Sequence, residues 1–237
     1  MMTVQAVAKP QDDVSQSAAS HSQQQCSKIL ALHGKGSSGQ DFVSRLDQYH
    51  EVLRENHDGM TMNVVALTAP FPLVEDNTDA GFQWWALPPF ARSFNATTYE
   101  GFQTSAELVL KTLREQGPFD CIYGHSKGAI LIAALLALER IPDHPTRGYV
   151  LNGCAWPNPY SDELKSLKFP PQQAPNLLFI TGLKDDINAP DTQAQVKESL
   201  EAAGARVSQI FHSGGHNIPI RQSETLTSVI EWMVQSS

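Results

Sequence analysis

Residues 119–139 read FDCIYGHSKGAILIAALLALE, and this stretch decides the fold. A short, mostly apolar strand is expected over 119–123 (FDCIY). It runs into Gly124-His125-Ser126-Lys127-Gly128, a G-x-S-x-G, and then into a helix over 129–139 that is apolar nearly all round. The pentapeptide suits a very tight strand-to-helix turn. The serine sits at a strained tip, and bulky residues two places away on either side would clash, so small residues at −2 and +2 are needed. Such a turn lifts Oγ clear of the sheet and sets it at a helix N-terminus, where backbone N–H groups and the helix dipole favour an anion. The plainer reading of five residues is a glycine-rich helix start with a serine cap. The apolar strand before and the apolar helix after select the sharp turn.

Outward from this stretch the same unit recurs. Short apolar runs at 28–32 (KILAL), 63–67 (NVVAL), 148–152 (GYVLN), 177–181 (LLFIT) and 207–211 (VSQIF) bring the expected strands to six. Helix patterns lie at 104–113, 192–203 and 225–234, besides 129–139. Strands alternating with helices imply parallel pairing, and runs this apolar imply cover on both faces. The expected class is an α/β three-layer sandwich around a mostly parallel sheet of about six strands. Ligands of such sheets bind outside the carboxyl ends of the strands, so the informative residues are those just after each strand.

Three further segments occupy such positions. After 28–32 comes His33-Gly34-Lys35-Gly36-Ser37-Ser38-Gly39, which lacks the Lys-Ser/Thr of a phosphate-binding loop. A backbone N–H from this loop, with one from the residue after Ser126, would suit an oxyanion hole. After 177–181 come Asp185 and Asp186, of which Asp185 is chosen as the carboxylate that orients an imidazole. After 207–211 comes Ser213-Gly214-Gly215-His216-Asn217, with His216 in a flexible loop. His212 and His216 stand four apart, but Gly214 and Gly215 break the helix that a metal pair would need. Ser126, Asp185 and His216 follow one another in that order, each after its own strand.

Composition narrows the function. The chain has 237 residues, 17 Lys+Arg against 25 Asp+Glu, and a net charge of −8. That balance disfavours nucleic acid and anionic membrane, which need a basic face. The longest apolar run is about half a membrane span. Cys26, Cys121 and Cys154 do not make a disulfide scaffold. Residues 1–25 carry a Ser/Gln-rich run with no basic, apolar leader, and are expected to be a disordered tail before a domain over 26–237. Cytoplasm is the expected compartment.

The motifs ILALHGKGSSGQDF (29–42), GFQWW (81–85), CIYGHSKGA (121–129), FITGLKDD (179–186) and HSGGHNIP (212–219) together resemble the α/β-hydrolase superfamily, and within it most closely the FSH family of serine hydrolases. The resemblance spans about 27–232. It implies esterase or thioesterase activity on small to medium acyl substrates, with no cofactor and no metal. It also implies Ser126 as nucleophile, Asp185 as orienting acid, His216 as general base, and the N–H groups of Lys35 and Lys127 as the oxyanion hole. The family's turn more often has an aromatic before the serine and Gln after it, where this chain has His125 and Lys127. Two lysines there would favour an acyl group bearing carboxylate or phosphate. The preferred expectation is that both side chains point to solvent. The sheet should lack the two opening strands of fuller versions, and no large lid fits. The aromatic-rich connection 68–101 either packs as a satellite core or lines a pocket, and Trp84, Phe90 and Trp156 are named for the acyl or alcohol site. The partner is a small-molecule ester or thioester. A long-chain acyl-protein thioesterase or lysophospholipase-like enzyme is the nearest rival. A non-catalytic ligand receptor on the same fold is the rival of another class.

Overall fold

A computed structural model describes residues 25–56, 60–75, 78–219 and 223–234. The expected tail lies outside the described residues, save Gln25, which opens the first strand. In chain order the strands are β1 (Gln25–Leu32), β2 (Met60–Leu67), β3 (Phe71–Glu75), β4 (Thr78–Gln83), β5 (Cys121–His125), β6 (Gly148–Asn152), β7 (Asn176–Gly182) and β8 (Arg206–His212). The helices are α1 (Gly39–Asn56), α2 (Phe102–Gln116), α3 (Lys127–Ala137), α4 (Ser161–Ser166), α5 (Pro190–Ala202) and α6 (Ser223–Val234). Six strands form one parallel sheet in the order β2-β1-β5-β6-β7-β8. The chain leaves β1 toward β2 on one side and returns to β5 on the other. The crevice between the ends of β1 and β5 is thus the switch point where open α/β sheets bind ligands.

The two faces carry separate cores. Helices α2 to α5 cover one, and α1 with α6 covers the other. Every residue of α3 is buried, as its unbroken apolar run requires. Each of its Ile and Leu side chains contributes about 1.5–3 kcal/mol by leaving water. Strands β5 and β6 are buried along their whole length.

Three features depart from the sequence reading. Helix α1 was not foreseen. It buries Phe42, Leu46, Tyr49 and Leu53 at helical spacing. It starts with a reciprocal cap in which the Ser38 N–H donates to the Asp41 carboxylate (3.0 Å) and the Asp41 N–H donates to Ser38 Oγ (3.2 Å). The third expected strand begins two residues later, at Cys121. Phe119 and Asp120 anchor the entry instead: the Asp120 carboxylate accepts from the Lys28 N–H (2.8 Å) and from the Thr146 hydroxyl (2.9 Å). Finally, the 68–101 connection contains the β3–β4 antiparallel hairpin, which forms its own small sheet.

Candidate active site

The turn between β5 and α3 is built by close approach. Ser126 has φ 54° and ψ −120°, a region costing about 1–3 kcal/mol for a residue with a side chain. A Cβ on Gly124 would lie 2.6 Å from the Ala129 nitrogen. One on Gly128 would strike the carbonyls of Leu32 and His33. Both glycines are therefore required by packing. The Ser126 N–H donates to the Asn152 carbonyl (2.9 Å), tying the strained residue to β6.

Ser126, His216 and Asp185 meet at the carboxyl edge of the sheet. The Ser126 hydroxyl donates to His216 Nε2 (2.7 Å), and His216 Nδ1–H donates to Asp185 Oδ2 (2.7 Å). This proton placement follows from the carboxylate partner, which requires a donor at Nδ1. Asp185 Oδ1 accepts from the N–H groups of Ile187 (3.0 Å) and Asn188 (2.8 Å), and Oδ2 accepts from Gln193 Nε2 (3.1 Å). Burial opposes ionisation of Asp185. The hydrogen bond from His216 and the two amides outweighs it, and the carboxyl is held below its usual value. A hydroxyl, an imidazole and a carboxylate in this order let the imidazole take the hydroxyl proton while the carboxylate stabilises the resulting charge.

Around these three stands a layer that sequence reasoning missed. Gln193, on α5, donates to the Asn188 carbonyl (2.7 Å) as well as to Asp185, and its own carbonyl accepts from Thr181 on β7 (3.1 Å). Asn188 donates to the Gly153 carbonyl (2.7 Å). A Cβ on Gly153 would lie 3.0 Å from His216 Cε1, so the imidazole packs on bare backbone. Gln193 had a faint signal, as a polar residue on an amphipathic helix beside the Asp185 loop. Asn188 and Gly153 had none.

The His33–Ser37 loop lies against the serine turn. A Cβ on Gly34 would be 3.2 Å from Ser126 Cβ and 3.0 Å from His125 Nδ1. His33 is buried and shared three ways. Its Nδ1–H donates to the Gly34 carbonyl (2.6 Å), its Nε2 accepts from the Ala69 N–H (3.0 Å), and its carbonyl accepts from the Trp84 indole (2.7 Å). Burial holds its pKa below the ordinary value. The His125 ring lies tilted against the His216 ring, centroids 5.2 Å apart, and burial pushes its pKa down to about 3.

The two lysines separate. Lys35 is exposed. Lys127 is buried, contrary to the expectation of solvent. Its Nζ donates to the Trp85 carbonyl (2.7 Å) and to Gln83 Oε1 (3.1 Å). The aromatic guesses separate too. Trp84 has no exposed surface and belongs to the core, pulled inward by its bond to His33, so it presents no face to a substrate. Phe90 is fully exposed and forms no wall. Trp156 is half-buried and lines a cavity of about 570 Å³ with Phe94, Lys165, Thr192 and Glu198. Ser126 is not among the walls. Asp185 and His216 are not among them either.

Comparison with known proteins gives the family and the fold. The profile described as serine hydrolase (FSH1) matches residues 22–227. An esterase OVCA2 of Xenopus tropicalis is 28% identical, over 81% of this chain and 86% of its own. Esterase C25G4.2 of Caenorhabditis elegans is 25% identical over the same shares. Among solved structures, Arabidopsis thaliana SOBER1 superimposes with a TM-score of 0.63 at 19% identity, covering 88% of this chain and 97% of its own. Zea mays acyl-protein thioesterase 2 gives 0.60 at 20%, covering 88% and 94%. These structures share the α/β-hydrolase fold with this chain. No described helix is long and apolar enough to cross a membrane.

Proposed function

The chain belongs to the serine hydrolase (FSH1) family, and from that premise we propose that it cleaves carboxylic ester or thioester bonds of small to medium acyl substrates through an acyl-enzyme. The observation that carries the reading is the unbroken hydrogen-bond chain Ser126–His216–Asp185, with both links at 2.7 Å. In this mechanism His216 Nε2 takes the proton as Ser126 Oγ attacks the acyl carbonyl. The carbonyl oxygen gains charge and is held by the N–H groups of Lys35 and Lys127. Removing one such donor typically costs about 2.7–4 kcal/mol. The C–O or C–S bond breaks, and the imidazolium returns its proton to the leaving alcohol or thiol. Water then attacks the acyl-serine by the same route, releasing the acid. Asp185 holds the imidazole tautomer throughout and needs no proton of its own.

The Trp156 cavity is within the usual range for small-molecule sites, and Trp156 remains our proposed contact for a part of the substrate away from the scissile bond. Free Cys26, Cys121 and Cys154 support a reducing, cytoplasmic setting. The long-chain thioesterase and receptor alternatives have no observation of their own in their favour.

A fluorophosphonate probe with intact-mass and peptide mapping tests the assignment. Wild type should be modified at Ser126, and Ser126→Ala should take no label. The same substitution should lower kcat on a short ester by about 10⁶-fold with the far-UV spectrum unchanged. Substantial turnover by a clean Ser126→Ala preparation would remove the serine mechanism. An ester and thioester panel of increasing acyl length then ranks the substrates, and a maximum at long-chain thioesters would favour the rival enzyme.

A further inference from the structure

Lys127 occupies a place that should repel a cation three times over. It is the first residue of α3, at the positive end of the helix dipole. It is 6% exposed. Lys35 stands close enough to add repulsion to the cost of burial, and together they push the ammonium pKa down to about 7. Among the described residues no carboxylate pairs with it. Its hydrogen-bond partners are neutral, the Trp85 carbonyl and Gln83 Oε1, and its Nζ lies 5.2 Å from the Trp85 ring. A shorter apolar residue would avoid every one of these costs but would make neither bond.

Those two bonds land on a segment that is already fastened to the opposite side of the site. The Gly36 N–H donates to the Phe82 carbonyl (2.9 Å), and the Phe82 N–H donates to the Ser37 carbonyl (3.0 Å). The Trp84 indole donates to the His33 carbonyl (2.7 Å). Residues 82–85 therefore bridge the His33–Ser37 loop and the serine turn, and Lys127 supplies the bridge's attachment to that turn.

We propose that the Lys127 side chain is a positioning residue. By holding residues 82–85 it keeps the His33–Ser37 loop in register with the serine turn, so that the backbone N–H groups of Lys35 and Lys127 stay at a fixed separation around the developing oxyanion. The inference rests on the serine-hydrolase reading above. Residue 127 then acts twice, with its amide facing the reacting oxygen and its side chain setting where the second amide stands.

A double-mutant cycle on the full chain tests this, with kcat and KM measured on p-nitrophenyl butyrate for wild type, Lys127→Met, Gln83→Met and the pair. Lys127→Met should lower kcat about tenfold while KM changes less than about threefold, because the loss falls on the transition state. Gln83→Met should lower kcat to a lesser degree, and the two losses should be less than additive, because both cut one connection. Lys127→Gln, which keeps an N–H donor, should recover part of the rate. Hydrogen exchange at the Gly36 and Phe82 amides should quicken in Lys127→Met. Unchanged kcat, strictly additive losses, or unaltered exchange at those amides would overturn the proposal. So would a loss seen with an anionic ester but not with the neutral one, which would make Lys127 a reader of substrate charge. If Lys127→Met does not fold, Gln83→Met decides through the same rate and exchange measurements. Fluorophosphonate labelling of wild type at Ser126 separates the two levels: unlabelled, inactive wild type removes the hydrolase reading, and labelled wild type confines any failure to the brace.

Discussion

At Ser126 the backbone sits at φ 54°, with Gly124 and Gly128 leaving no room for a methyl group. At Asp185 and His216 the side chains are held by hydrogen bonds that run through Ile187, Asn188 and Gln193. The serine arm of the site is positioned by steric exclusion, and the acid–base arm by a polar network. Steric exclusion has few solutions, so it leaves a short motif with fixed small residues. A polar network has many, so the residues that build it look ordinary. The arms should also fail differently: the serine arm by misfolding of a turn, the acid–base arm by loss of orientation in an intact fold.

Among substitutions that leave the nucleophile in place, the largest effect belongs to the acid–base arm. Asp185→Asn should lower kcat by about 10⁴-fold, since an amide favours the wrong imidazole tautomer, with melting temperature nearly unchanged. A large loss of stability would erase the contrast. On the serine arm, Gly128→Ala places a methyl against two backbone carbonyls that cannot rotate away. It should cost about 3 kcal/mol, or about 6–12 °C in Tm for a chain this size, and activity should fall with it. Full activity at an unchanged Tm would show that the turn is not sterically set. Gln193→Leu removes one donor to a charged carboxylate, so kcat should fall about tenfold with no loss of fold by circular dichroism.

Lys127 belongs to the serine arm yet depends on hydrogen bonds, and pH exposes the mixture. With a folded pKa of about 7 against an ordinary value near 10.4, both folded and unfolded chains hold the proton below pH 7, and the full burial cost is present there. Between those values the folded chain has released it and the unfolded chain has not, so stability rises with pH. Melting curves of wild type and Lys127→Met at pH 6, 8 and 9.5 should shift in favour of wild type as pH increases. A constant difference across the series would show that the ammonium bears no burial cost.

The same contrast explains what was legible beforehand. The inner strands β5, β6 and β7 were readable because buried strands are continuous apolar runs, and the turn at Ser126 because its glycines are sterically fixed. Asp185 and His216 were named from their places after β7 and β8, and the fold brings them within hydrogen-bond distance. Gln193 was not, since a glutamine on a polar helix reads as a solvated face until β7 is packed beside it. Lys127 was expected in solvent because burying an ammonium is costly, and only the carbonyl of Trp85 reveals what offsets it. Trp84 was assigned to a pocket because an aromatic connection permits either role, and its indole bond to His33 decides for the core. Helix α1 has its apolar stripe in the sequence, but the stripe is set among charges and was overlooked.

The order of the sheet has a consequence for how activity arises in time. Ser126 follows β5, Asp185 follows β7, and His216 follows β8, the last of the described strands and an edge of the described sheet. During synthesis Ser126 and Asp185 emerge first, and His216 reaches them only when β8 can pair with β7. Because that pairing adds an edge strand to a non-local parallel sheet, a slow class of event, recovery of esterase turnover on refolding should trail recovery of helical circular dichroism. Until β8 has been made, the nascent chain carries Ser126 without its imidazole partner.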